Sequence, residues 1–419
     1  MINPNNEKKV NKLKKNLSWT FFGNLIYAIS QWGILVSMTK IGNAEMLGQY
    51  SLGLAVSAPI FLFLNFNLRT ILVTDMQSEN SFVDLLSLRL YSSTLSLMLI
   101  ILLSFIVYSE NTTIIIALVA LCKYIESIGD MFQGVNQRYE KMHFVSISQI
   151  LKGILSWICF TTTLYVFKSL TLAVLSMFLA WTMIVLLFDF LVAKNTLYIY
   201  TKHIMSLSAK WGVLKGIIVI AIPLGIVSTL DSLMVNIPRY FLESFQTKEV
   251  LGYFSGISYF MIVGNILILA LSQSILPKLS KSIAIGNIFE FKKIMKKLVL
   301  FALLIGILAI LVSIFLGEYI LSLVYSEDFI SYKNIFVITM ITATFWYICT
   351  FLSAGINATR KFKSELPIYI LSTIVVLIVG FFSIPQYGIL GASIALLMGM
   401  VSRAIYSVIV LKQLLKILK

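Results

Sequence analysis

Lys123, Glu126 and Asp130 interrupt an otherwise apolar stretch at i, i+3 and i+7, and Gln133 and Gln137 continue the row. These spacings put all five side chains on one helical face. At 1.5 Å per residue, Lys123 lies about 16 Å from the outer end of its segment, close to a bilayer midplane. An ionised side chain there costs about 2.5–3.5 kcal/mol on insertion scales, so this face must meet protein or a wet cavity. Two chemistries fit: a structural Lys123–Glu126 pair locking helices together, or a cavity lining that couples substrate to ion movement. Two carboxylates against one lysine leave a spare negative charge. Desolvated carboxylates titrate closer to neutral pH, which suits a proton site; a sodium site suits the pattern too.

A second cluster holds Asp231 with Ser228, Thr229, Ser232 and Asn236, between Pro223 and Pro238. Interior prolines free carbonyls that can bind a cation. Asp231 falls in the outer third of its segment and either couples an ion or pairs with Arg239 or a neighbouring helix. Arg403, in the inner third of the last segment, either contacts an anionic group or snorkels to the surface. Asn24, Tyr27 and Gln31 form one polar face of the first helix, suited to sugar contacts or to polar helix packing.

Such residues need a scaffold, and the chain supplies it twice. Glu45-Met-Leu-Gly48 returns as Glu249-Val-Leu-Gly252, and Arg69-Thr-Ile-Leu72 aligns at the same offset with Gln273-Ser-Ile-Leu276. Gly134-Val-Asn136 before Arg138 is matched by Gly355-Ile-Asn357 before Arg360. Internal repeats of this kind mark secondary transporters with a cavity between two bundles. The repeat also isolates Arg69: with Gln273 at the equivalent position, the fold does not require a cation there. Arg69 is either a phosphate ligand, through the bidentate geometry of guanidinium, or a positive-side anchor.

Hydrophobic residues are 59% of the 419, charged residues 12%, and mean hydropathy is +0.93. A water-soluble chain of this size could not cover itself with polar surface. With about 20 apolar residues per span, twelve helices are expected at 17–39, 47–68, 86–108, 112–135, 145–167, 170–193, 213–237, 250–276, 297–317, 333–356, 366–384 and 387–411, with the tightest hairpins near 110 and 385. The organisation is a basic N-terminus (1–16), an N-lobe (17–193), a linker (194–212), a C-lobe (213–411) and a tail (412–419). The class is all-α integral membrane, about twelve helices in two pseudo-symmetric six-helix lobes. The connections at 194–212 and 278–296 read as amphipathic helices along the membrane.

Of the 33 Lys and Arg, the ends and even-numbered connections carry 26, counting Arg89 and Lys152 among them, against five on the other side. Positive residues stay cytoplasmic, which puts both termini inside and accounts for the +15 net charge without nucleic acid. Lys281 to Lys297 also suit anionic headgroups. Cys122, Cys159 and Cys349 lie in apolar segments with no metal or disulfide spacing. No metal and no cofactor is expected. The first apolar run is too long for a cleaved leader. His143 and His203 lack an acidic motif partner, and no large surface loop could hold an active site, so an enzyme is not expected. The charges are too sparse for a channel filter.

The segment Gly48-Gln-Tyr-Ser-Leu-Gly-Leu-Ala-Val-Ser-Ala-Pro59, continuing to Asn65-Phe-Asn-Leu-Arg69-Thr70 and Asp75, resembles the second helix of polysaccharide repeat-unit (Wzx-like) flippases. These belong to the multidrug/oligosaccharidyl-lipid/polysaccharide exporter superfamily. The likeness extends over the whole chain, and Gln133-Gly134 to Arg138 adds to it. It implies an inner-membrane flippase for an undecaprenyl-pyrophosphate-linked oligosaccharide, serving O-antigen or capsule assembly by ion-coupled alternating access. Lys123, Arg69 and Arg403 are then candidates for the pyrophosphate, and Asn24, Tyr27 and Gln31 for the sugars. Glu126, Asp130 and Asp231 are candidates for coupling a proton or sodium ion. Membrane lipids, a polysaccharide polymerase and a chain-length regulator are the candidate partners. The alternative is a cation-coupled drug or metabolite exporter of the same architecture.

Overall fold

Inside a bilayer the backbone must satisfy its own hydrogen bonds, so long apolar segments become helices. The computed structural model describes residues 4–74, 81–201 and 211–417 and is 94% helical, with no strand among those residues. The helices are α1 Pro4–Ile41, α2 Ala44–Leu64, α3 Leu68–Thr74, α4 Phe82–Val107, α5 Glu110–Arg138, α6 Met142–Phe167 and α7 Leu170–Ile184. After a π-helical turn at Val185–Asp189 come α8 Phe190–Thr201, α9 Trp211–Phe245, α10 Lys248–Ala284, α11 Ile288–Val324, α12 Lys333–Ala358, α13 Leu366–Tyr387 and α14 Ile389–Ile417. Among the described residues, eleven helical segments are long and apolar enough to cross a membrane, and α9 covers the expected seventh. Asp75, Lys202, His203 and Lys210 lie outside the described residues.

Three boundaries differ from the sequence expectation for identifiable reasons. The second span does not run to 68: Phe66 and Asn67 both adopt φ +49, which ends α2 and restarts the chain as α3. Asn visits this left-handed region more readily than most residues, whereas a Phe there must be held by its surroundings. Phe66 is held by an apolar cluster with Leu68, Leu72, Leu85, Met131 and Phe132. The connection at 278–296 is not a separate helix. Both α10 and α11 continue through it as 37-residue helices. They are separated by Gly286 at φ +71 and by Asn287, whose side chain caps α11 by accepting from the Glu290 amide. The third is the π turn, which interrupts the 170–201 helix and re-aims Asp189.

The chain divides into two compact units, Met1–Gly42 with Val56–Ser228, and Asn43–Ala55 with Thr229–Lys419. In the first, α1 packs along α6, α4 along α5, and α7 against both α5 and α6, while the short α3 lies on α5. In the second, α12 is central, packed by α10, α11 and α14, and α13 pairs with α14.

The repeated motif has a physical purpose inside the second unit. A Cβ added at Gly48 would collide with the backbone carbonyl of Lys248, and one at Gly252 with that of Ala44. Each glycine would also bring its Cβ to 3.1 Å from the other's amide nitrogen. The start of α2 and the start of α10 therefore cross backbone to backbone, as close helix crossings at small residues do. Gly48→Ala or Gly252→Ala should cost about 1–3 kcal/mol, because the obstructing atoms are main chain and cannot rotate away. Gly216, on α9, has open space around the same position, so Gly216→Ala should be neutral or stabilising by about 0.5–1 kcal/mol. Thermal unfolding of the three variants in one detergent measures the contrast.

Candidate functional site

The row on α5 becomes part of a network centred on Asp130. Arg69, at the start of α3, donates from Nη1 to Asp130 Oδ1 at 2.6 Å and from Nε to Gln137 Oε1 at 2.9 Å. Arg89, from α4, places Nη2 3.6 Å from the other carboxylate oxygen and donates from Nη1 to Ser127 Oγ at 3.4 Å. Ser127 in turn donates to Asn65 Oδ1 at 2.8 Å, tying the left-handed break to α5. Gly134 makes the approach possible, since a Cβ there would press on Leu72 and on the Arg69 side chain at 3.1–3.2 Å. Arg89 is 1% exposed, whereas Asp130 keeps 34% of its side-chain surface and Arg69 24%. One edge of the cluster is thus accessible and the other is sealed.

One turn towards the other end of α5, Lys123 Nζ donates to Glu126 Oε2 at 2.7 Å, and the Tyr27 hydroxyl donates to Glu126 Oε1 at 3.3 Å. Gln133 turns to α6 and donates to Ser148 Oγ at 3.0 Å. Asn24 is exposed, and Gln31 has its amide nitrogen buried without a partner. Both share the Tyr27 side of α1, and neither is bonded to the charged network among the described residues.

The charge balance reverses the sequence expectation. With Arg69 and Arg89 added to Lys123, three cations face Glu126 and Asp130, so the spare charge is positive. Arg89 is no surface anchor. Lys152 is not one either: it is buried on α6 with Nζ 2.5 Å from Asp189 Oδ2, and Asp189 is only 2% exposed. Arg89 lies about 10 Å from the start of α4 and Lys152 about 15 Å from the start of α6. Gly129 leaves the room, because a Cβ there would meet Lys152 Nζ at 2.7 Å. The missed signal was Asp189 itself, a lone acid in the apolar run Val185-Leu-Leu-Phe-Asp189, which needed a partner.

In the second unit, Arg403 neither snorkels nor reaches the surface. It donates from Nη1 to Asp231 Oδ1 at 2.8 Å and from Nη2 to the Tyr369 hydroxyl at 2.5 Å. Arg403 keeps 5% of its side-chain surface and Asp231 44%, so the carboxylate is the accessible partner. Asp231 lies about 21 Å from the Phe245 end of α9, and Arg403 about 21 Å from the Ile389 end of α14. Arg239 pairs with Asn236 Oδ1 at 2.6 Å and not with Asp231. Tyr369 of this group was not anticipated. Among the described residues no group of His, Cys, Asp and Glu could hold a metal ion.

No protein-family model matches the sequence. The capsular polysaccharide biosynthesis protein CapF of Staphylococcus aureus is 31% identical over 391 residues, spanning 91% of this chain and 95% of that protein. Among solved structures, the lipid II flippase MurJ in an inward closed conformation superposes with a TM-score of 0.75 at 14% identity, covering 94% of this chain and 86% of MurJ. An inward-facing multidrug resistance MATE family transporter of the MOP superfamily gives 0.70 at 13% identity, covering 95% of each chain. The Vibrio cholerae MATE transporter VcmN gives 0.63 at 15% identity, covering 97% of each. At these identities the structural likeness speaks for the fold. The chain belongs to the family of CapF and has the fold of the MOP superfamily. It is a multi-pass membrane protein.

The sealed Lys152–Asp189 pair should behave as a structural clamp. Asp189→Asn leaves a buried ammonium without its counter-ion and should cost about 3–5 kcal/mol. Replacing both partners, Lys152→Met with Asp189→Leu, should recover most of that loss. Denaturant titration of the two variants checks the pair, and equal losses in both would remove the clamp reading.

Proposed function

We propose that this CapF-family chain is a flippase that moves an undecaprenyl-pyrophosphate-linked oligosaccharide repeat unit across the bacterial plasma membrane, for surface polysaccharide assembly. The observation that carries the reading is the surplus of positive charge in the accessible intramembrane network. Arg69 and Lys123 present cations that are part-exposed at a depth where charge is expensive. A pyrophosphate is an anion that a low-dielectric site can hold only with such partners. A cationic drug would meet repulsion there.

The same pairs suggest how ion movement couples to transport. Each accessible carboxylate is held by a cation: Glu126 by Lys123, Asp130 by Arg69 and Arg89, Asp231 by Arg403. A pyrophosphate that competes for Arg69 and Lys123 weakens those pairs, and the released carboxylate then gains from a proton or a sodium ion. Substrate anion and carboxylate thereby compete for one set of cations, which links binding of the substrate to binding of the ion. The lysine bias supports a topology with both termini in the cytoplasm. Tyr27, Asn24 and Gln31 offer the sugar-binding face beside Glu126.

Transbilayer movement of an undecaprenyl-pyrophosphate oligosaccharide in proteoliposomes, with and without a proton gradient, tests the reading. Arg69→Gln installs the residue found at the equivalent repeat position, so folding should be retained while the initial rate falls about tenfold or more, the worth of one charge-assisted contact. Lys123→Gln should act in the same direction. Translocation of a cationic dye in place of the lipid would move the chain to the exporter class.

A further inference from the structure

The lysine-rich end of the α10–α11 hairpin contains a feature that the transport site does not use. Lys278 of α10 and Lys293 and Lys297 of α11 converge on a groove of 480 Å³, with one carboxylate, Glu290, at its edge. Ile275 and Leu298 supply an apolar floor. None of the three ammonium groups has an ion-pair partner among the described residues, so the groove carries two uncompensated positive charges. Lys281, Lys292 and Lys296 occupy the same hairpin but do not line it.

The position of the groove along the helices is informative. The apolar stretch of α10 ends beside Ile275, and that of α11 begins at Leu298, so the three lysines stand at the change from apolar to polar sequence. Lipid phosphates lie at that level of a bilayer, and lysine stems reach it by snorkelling. Phe289 (79%) also lines the groove, and Ile285 (64%) is exposed at the hairpin tip, side chains suited to the interfacial region. A soluble phosphate would need only the cations. The apolar floor and the exposed tip suit a ligand with an acyl chain attached.

We propose that this groove binds the phosphate-bearing headgroup of an anionic membrane lipid, with Lys278, Lys293 and Lys297 as its ligands. The site is separate from the intramembrane network and does not depend on the flippase reading.

Native mass spectrometry of the full-length protein, titrated with phosphatidylglycerol, phosphatidylcholine or inorganic pyrophosphate, tests it. The Lys278→Gln/Lys293→Gln/Lys297→Gln triple should weaken phosphatidylglycerol about tenfold or more. The Lys281→Gln/Lys292→Gln/Lys296→Gln triple, with the same change in net charge, should leave it within about twofold. Arginine at the first three positions should preserve binding. Equal weakening in both glutamine triples would assign the effect to diffuse charge and overturn the proposal, as would phosphatidylcholine binding as tightly as phosphatidylglycerol. Loss of pyrophosphate binding in the first triple, with phosphatidylglycerol unaffected, would give the groove to a soluble phosphate and overturn it too.

Discussion

A charge within hydrocarbon must be matched or hydrated, and that constraint orders much of this molecule. It explains why α2 is broken at Asn65–Asn67 so that α3 can bring Arg69 to Asp130. It explains why a helix tolerates a π turn where Asp189 must meet Lys152. It also explains why Arg403 is anchored between Asp231 and Tyr369. Buried ion pairs add little net stability, because desolvation offsets most of the attraction, while removing one member is costly. Their contribution here is specificity: each fixes which helix faces which.

The pairs are not equivalent. Lys152–Asp189 is sealed, and its members have nothing to exchange with except each other. Asp130 and Asp231 are accessible carboxylates whose cationic partners, Arg89 and Arg403, are almost fully buried. A buried cation held against an exposed acid fixes the carboxylate in place and turns its negative charge towards the accessible side. The sealed pair lacks that capacity. Burial, not residue type, separates scaffold from candidate machinery.

Fold class and helix number were legible because hydropathy over twenty residues is a strong signal. The α5 row was legible because charge at helical spacing is rare in an apolar segment. Arg89 and Lys152 were misread for one physical reason. A buried cation and a snorkelling one both sit within a few turns of a span boundary, and a one-dimensional profile does not distinguish them. The break at Phe66 was hidden because its cause is tertiary: an apolar cluster and the Asn65–Ser127 bond hold a backbone conformation that Phe does not prefer. The length of α10 and α11 was hidden because lysines mark the end of an apolar stretch without ending a helix.

The crossing of α2 and α10 bears on the history of the chain. Gly48 meets the backbone one turn before Gly252, and Gly252 meets the backbone one turn before Gly48. Two copies of one motif that touch through the same residue have the geometry of an isologous contact. In an ancestor of half this length, paired as a homodimer, one glycine codon would have set both sides of the contact. Any side chain gained there would have been counted twice. After a fusion of such halves the two positions would be free to vary separately, and this chain has glycine at both. Arg69 and Gln273, further along the same repeat, show the opposite outcome: there the two copies carry different side chains.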